Sequence, residues 1–149
     1  DKIVLVSTST RTLDVLGALC EARRWPHLRL DGSTPADDRA ALVARFNDRR
    51  HASRVFLLSS RAGGCGLNLV GANRLALVDA DWNPATDEQA MARVWRDGQT
   101  KPVHIYRLLS AGTIDESMLR RQLAKHDLAD SVVDGAKKHR QSKHKRKPA

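Results

Sequence analysis

The chain has 149 residues and is 41% hydrophobic, room for one domain with a proper core and little else. No apolar run approaches the roughly 20 residues of a membrane-spanning helix, so no membrane partner is expected. The net charge of +9 is uneven: seven of the 26 Lys and Arg lie between Lys137 and Lys147 with no acid among them, leaving the rest at about +2. Residues 135–149 therefore read as a basic, disordered tail, able to bind polyanions without sequence preference or to serve as a nuclear import signal. DNA binding by the remainder has to come from local sites. Cys20 and Cys65 make neither a disulfide framework nor a zinc site, and no metal ligand set is expected; a reducing compartment fits them. The chain starts on a strand-like run with no Met and no signal peptide, and is read as a piece of a larger protein.

In chain order, residues 3–7 read as a buried strand and Thr10 to Arg23 as a helix with Leu13, Leu16, Leu19 and Cys20 on its apolar face. Leu28 to Leu30 is a short strand running into Asp31-Gly32-Ser33-Thr34. Pro35, as the first helical residue after a Thr34 N-cap, opens a helix to Asn47. Val55 to Ser59 is a strand, followed by a glycine-rich loop and a short helical stretch at Leu67 to Val70. Leu75 to Val78 is a strand, Thr86 to Arg96 a helix, His104 to Leu108 a strand, and Ile114 to Ala129 a long helix.

Short apolar runs alternating with amphipathic helices are the mark of an α/β fold, a mainly parallel sheet between layers of helices. Ligands bind such sheets at the carboxyl ends of the strands. The polar segments all follow strands: Ser7 to Thr10, Asp31 to Thr34, Ser59 to Gly66 and Asp79 to Pro84. They are expected along one edge.

Four segments carry candidate chemistry. In Gln89-Ala90-Met91-Ala92-Arg93-Val94-Trp95-Arg96-Asp97-Gly98-Gln99, a helix would place Gln89, Arg93 and Arg96 within about 60° of one another, with Met91, Val94 and Trp95 elsewhere to anchor it. Two guanidiniums and an amide on one stripe suit a γ-phosphate, although a solvated face paired with acids is the commoner use of helical arginines. In Ser59-Ser60-Arg61-Ala62-Gly63-Gly64-Cys65-Gly66-Leu67-Asn68-Leu69, glycines expose backbone N–H groups that suit a phosphate backbone. No Gly-Lys-Ser or Gly-Lys-Thr follows, so this is not a Walker A loop, and a plain tight turn explains the glycines equally well. Leu30-Asp31-Gly32-Ser33-Thr34, with Arg39 behind it, offers a phosphate cradle at a helix N-terminus, although ordinary capping by Ser33 and Thr34 is the favoured reading of this segment taken alone. Asp81-Trp82-Asn83-Pro84 holds an aromatic in a polar loop, which either packs beneath it or stacks on a partner, packing being the more frequent outcome.

Together, in order and spacing, these blocks resemble the second lobe of superfamily-2 helicase-like ATPases of the SWI/SNF type, over residues 1–133. The wording of the Gly-Gly-Cys-Gly-Leu-Asn-Leu and Gln-Ala-Met-Ala-Arg-Val-Trp-Arg-Asp-Gly-Gln blocks is most similar to the recombination-repair branch. The resemblance implies a RecA-like three-layer lobe over residues 1–134, with ATP in a cleft shared with a first RecA-like lobe of the same chain. That lobe would carry Walker A and the Mg²⁺ ligands. Arg96 would be the arginine finger, Arg93 its companion, and Gln89 would set their geometry, with Gly64 and Gly66 beside the ATP. Gly32, Ser33, Thr34, Arg39, Ser60, Arg61, Gly63 and Trp82 would meet double-stranded DNA through its backbone, with little sequence preference. A RecA-type recombinase is an implied partner. The implied location is the nucleus in a eukaryote and the cytoplasm or nucleoid in a prokaryote.

The family usually has Lys where Arg61 stands, which keeps the charge and changes the geometry. With no Walker A and no Asp-Glu-x-His box, this lobe alone is expected to hydrolyse essentially no ATP. The helix from Ile114, with Arg120, Arg121 and Lys125, is expected to pack across the absent lobe. Rival readings are a chromatin-remodelling ATPase lobe, a non-catalytic nucleic-acid-binding module, an RNA helicase lobe, and a small enzyme using Cys65.

Overall fold

Five short strands make one wholly parallel sheet in the computed structural model, which describes residues 1–62, 66–79 and 81–124. The strands are β1 (Ile3–Ser7), β2 (His27–Leu30), β3 (Val55–Ser59), β4 (Arg74–Leu77) and β5 (His104–Arg107), in the spatial order β2-β3-β1-β4-β5. Helices α1 (Thr10–Ala22), α2 (Ala36–Asn47) and α3 (Pro84–Met91) alternate with them.

The inner strands are apolar at nearly every position because both faces of the sheet are covered. Ile3, Leu5, Val55 and Leu57 meet Leu13, Leu16 and Cys20 of α1 on one face. Val4, Val6, Phe56 and Leu58 turn the other way, into a larger core with Phe46 of α2, Leu69, Ala90 and Val94. Period-two alternation along β1 and β3 thus sorts their side chains into two cores on opposite sides of the sheet. Phe46 and Phe56 lie with ring centroids 4.9 Å apart and planes tilted by 55°, a geometry that contributes about 0.5–1.5 kcal/mol beyond the area it buries.

The helix ends follow from local chemistry. Ser9 caps α1 by accepting from Thr12 N, and the helix closes with Arg24 N–H on Glu21 O and Trp25 N–H on Cys20 O, Arg24 holding the left-handed φ of 53° that this closure requires. At the end of α2, the Lys2 ammonium donates to Phe46 O at 2.6 Å and Asp48 O at 2.8 Å, a cation on the helix's orphan carbonyls. Burial, then the charge of Arg54, holds the Lys2 pKa below its ordinary value.

Three helical expectations are corrected. Pro35 is the N-cap of α2, not its first helical residue, and no side chain caps the helix. Residues 67–70 are not helical: Leu69 N–H is drawn to Arg93 O at 2.9 Å, and Asn68 O accepts from Asn47 Nδ2 at 2.7 Å, so neither group is left for a helical turn. The helix expected to reach Arg96 ends at Met91 and passes into tighter turns, with Arg93 N–H on Ala90 O and Val94 N–H on Met91 O.

The chain divides into two compact units, Asp1–Ser110 and a second beginning at Ala111. In the second, residues 114–124 are helical, and Glu116 accepts from Gly112 N and Arg120 Nη2 at 3.1 and 2.7 Å. Residues 125–129 of the expected long helix, and the basic tail, lie outside the described residues. No helix among the described residues is long and apolar enough to cross a membrane.

Candidate DNA and ATP interface

Because every strand pair is parallel and Ser7 is in register with Ser59, the loops after β1 to β4 leave from one edge of the sheet. Asp79 ties two of them. One of its carboxylate oxygens accepts from Ser7 Oγ and the other from Thr8 N–H, at 2.7 Å. Ser60 N–H reaches Ser7 O at 3.0 Å, so the loop after β3 is fastened to the same strand end.

One groove at this edge unites Gly32, Arg39 and Arg61 with Arg11 and the hydroxyl residues Thr8 to Thr10 that lead into α1. Arg11 and Arg61 are exposed and make no ion pair among the described residues. Arg39 acts as a strut: its Nε donates to Thr34 O at 3.1 Å and its Nη1 to Ala62 O at 3.3 Å. Two arginines facing solvent beside a helix N-terminus make a surface suited to phosphates.

The Asp31 turn is folded on itself. Asp31 Oδ1 accepts from Ser33 N–H at 2.9 Å and Ser33 Oγ at 2.6 Å, and Oδ2 accepts from Arg29 Nε at 2.7 Å. Thr34 Oγ1 accepts from Asp31 N–H at 3.1 Å. The capping expected of Ser33 and Thr34 is thereby overturned, since Asp31 engages both before α2 starts. Gly32 lines the groove, and its N–H makes no hydrogen bond among the described residues. The Ser33 bonds first, then Arg29, hold the Asp31 carboxyl below the ordinary carboxylate range.

The arginine segment is organised by turns and not by a helical stripe. Gln89 is exposed on α3. Arg96 is exposed, and its Nη1 donates to Gly66 O at 3.0 Å, joining two residues expected near ATP. Arg93 belongs to the same segment through its carbonyl, which holds Leu69 N–H. Val94 is fully buried, as its anchoring role required, and Met91 packs against the same core. Trp95 does not anchor: it is 74% exposed, because the turn after Met91 points neighbouring residues in opposite directions. Trp82 is 64% exposed above a turn in which Asp81 Oδ1 accepts from Asn83 N–H, so it is not packed beneath its loop. Ser60 Oγ is buried with no partner among the described residues. Gly63, Gly64 and Cys65 lie outside the described residues.

Residues 1–98 match the family described as the helicase conserved C-terminal domain. The chain belongs to that family. Over 134 residues it is 60% identical to "DNA repair and recombination protein RAD54-like" of Homo sapiens, covering 90% of this chain and 18% of the human protein. Over 128 residues it is 61% identical to "Protein CHROMATIN REMODELING 25" of Arabidopsis thaliana, covering 86% of this chain and 14% of that protein. The chain thus spans less than a fifth of the length of these eukaryotic relatives. Among solved structures it is similar to "Crystal structure of the C-terminal part of Fun30 ATPase domain", with 38% identity, a TM-score of 0.77, and coverage of 80% of this chain and 38% of that one. The RecA-like α/β fold of this helicase C-terminal domain, with its parallel sheet between helices, is therefore the one expected from its sequence.

Three residues of this helicase C-terminal domain escaped sequence reasoning as individuals. Arg11 stands in the first turn after the first strand, a position that signals an anion site only once Arg61 is known to share its groove. In the sequence, Asp79 and Gln99 stand out only as members of longer blocks. Gln99, half-buried, reaches three backbone carbonyls, a role that no spacing rule announces.

Proposed function

We propose that the chain is the second RecA-like lobe of a double-stranded-DNA-dependent, ATP-driven translocase acting in homologous-recombination DNA repair. The observation that carries this reading is 60% identity over 134 residues with a relative named for DNA repair and recombination. Arg96 is the arginine finger: a guanidinium on a braced turn stabilises the charge that spreads over a γ-phosphoryl group in transfer. Arg93 adds a second cation, Gln89 sets their geometry, and Gly64 and Gly66 border the ATP. Among the described residues no group of three or more His, Cys, Asp or Glu is placed to hold a metal ion. Mg²⁺ and Walker A are assigned to the first lobe, and this lobe supplies donors to phosphates.

On the DNA side, Arg61 and Gly32 N–H take backbone phosphates in the groove and Arg39 holds the two loops in place. Ser33, Thr34, Ser60 and Gly63 complete the strand-contacting loops, and Trp82 meets the duplex. The parent protein works in the nucleus with a RecA-type recombinase. A second reading, a chromatin-remodelling motor, is favoured by the name of the 61% identical plant relative.

The test is ATP hydrolysis by this chain and by its two-lobe parent, each with and without duplex DNA. The chain alone is expected to hydrolyse essentially none, and the parent to respond to DNA. Arg96→Ala in the parent is expected to lower the DNA-stimulated rate by about 10³-fold or more while sparing DNA affinity. Turnover by the chain alone, or a parent indifferent to DNA, overturns the reading. Stronger stimulation by nucleosomes than by naked duplex selects the second one.

A further inference from the structure

The geometry points to Gln99 as a positioning residue that locks the arginine turn onto the glycine-loop segment, so that one carboxamide links the DNA-facing and ATP-facing parts of the lobe. This rests on the reading of Arg96 as the residue that reaches ATP. Gln99 Nε2 donates into a triangle of carbonyls: Ala72 O at 2.7 Å, Val70 O at 3.3 Å and Val94 O at 3.3 Å. Its Oε1 accepts from Lys101 N–H at 3.0 Å, which fixes which way the amide faces. Two of the three carbonyls belong to the segment that follows the glycine loop, and the third to the arginine turn.

The backbone of Gln99 holds the same turn, its N–H donating to Arg96 O at 3.0 Å. Gly98 allows the fold-back with a φ of 95°. Two further bonds run parallel to the carboxamide: Arg96 Nη1 to Gly66 O at 3.0 Å and Leu69 N–H to Arg93 O at 2.9 Å. The glycine-loop segment is in turn fastened to the end of α2 by the Asn47 amide, which accepts from Gly71 N–H and donates to Asn68 O. Arg39, near the start of the same helix, braces the Asp31 turn and the Ser60–Ala62 turn. A chain of hydrogen bonds therefore runs from both DNA-side turns, along α2, through residues 66–72, to the backbone that carries Arg93 and Arg96. Gln99 is the side chain that closes its last step.

The side chain has a discriminating substitution. Gln99→Glu keeps the size and the acceptor for Lys101 N–H but turns a carboxylate oxygen toward three carbonyl oxygens, replacing attraction by repulsion. Gln99→Met keeps the length and removes every hydrogen bond. In the two-lobe protein, both are expected to lower the ratio of DNA-stimulated to DNA-free ATP turnover by about tenfold or more, the scale of a misplaced catalytic group. Duplex affinity is expected to stay within about twofold. Loss of folded protein scales both rates together and leaves the ratio unchanged, so an unchanged ratio overturns the proposal. So does a loss of DNA affinity that accounts for the drop, or failure of both variants to fold, which would make the staple a folding element. If Arg96→Ala itself leaves DNA-stimulated turnover intact, it is the reading of Arg96 that has failed, and the role of Gln99 built on it falls with it.

Discussion

Gly71 lies against the last turn of α2 so closely that a Cβ built on it would stand 2.7 Å from Asn47 Cα and 2.9 Å from Phe46 O. Its N–H donates to Asn47 Oδ1 at 2.9 Å, and the two nearest atoms that a side chain would strike are backbone, which cannot swing aside. Gly71→Ala is therefore expected to destabilise the protein by about 1–3 kcal/mol, the range for overpacking a tight site. Urea unfolding reads this as a lower midpoint; an unchanged midpoint would show that residues 66–72 move freely away from α2.

Gly17 is the opposite case. It is buried in the middle of α1, and a Cβ there would meet only Leu57 Cδ1, at an ordinary 3.7 Å. Gly17→Ala is expected to stabilise by about 0.5–1 kcal/mol through helix propensity. A lower melting temperature would mean that the α1 face has no room for a methyl group.

Asp31 gives a pH dependence with a definite sign. Its carboxyl is held below its ordinary value of 3.8 by Ser33 first and then Arg29. A depressed acid stabilises the fold fully above its unfolded pKa and loses that contribution as pH falls through the folded one. Asp31→Asn is expected to be the less stable protein at neutral pH, with the gap closing as pH drops below about 4. Denaturant midpoints measured for both proteins across this range check it, and a gap that widens in acid would refute it.

Arg11 and Arg61 face the same groove without an acidic partner among the described residues. If both neutralise backbone phosphates in the two-lobe protein, Arg11→Ala and Arg61→Ala each reduce the salt dependence of duplex binding by about one unit of slope. Titrations at several salt concentrations measure that slope. An unaltered slope for Arg11→Ala would remove the start of α1 from the contact surface.

The sheet was legible because its chemistry is local. Ile3–Ser7 and Val55–Ser59 are apolar runs too short for helices, and their burial on both faces follows from the parallel order. The candidate site was legible as blocks but not as geometry. Gln89, Arg93 and Arg96 fit one helical stripe on paper, yet α3 ends at Met91, the next residues close in tighter turns, and Leu69 N–H takes Arg93 O. Leu67 to Val70 fails as a helix for the same reason, and Trp95 is exposed as a consequence. Lys2 looked like an ordinary residue ahead of a strand, and only the placement of Phe46 and Asp48 makes it the cap of a distant helix.

The alternation of Ile3 and Leu5 against Val4 and Val6 divides the interior into two rooms that share a single wall. The smaller room, under α1, contains no residue of the glycine-loop segment or the arginine turn; Leu69, Ala72 and Val94 of those segments belong to the larger one. Pairs of substitutions within one room should couple more strongly in their effect on stability than pairs split between the two. Sequence drift beneath α1 should be correspondingly cheap for the arginine turn, whereas a methylene lost around Leu69 or Val94 falls in the core that this segment packs into.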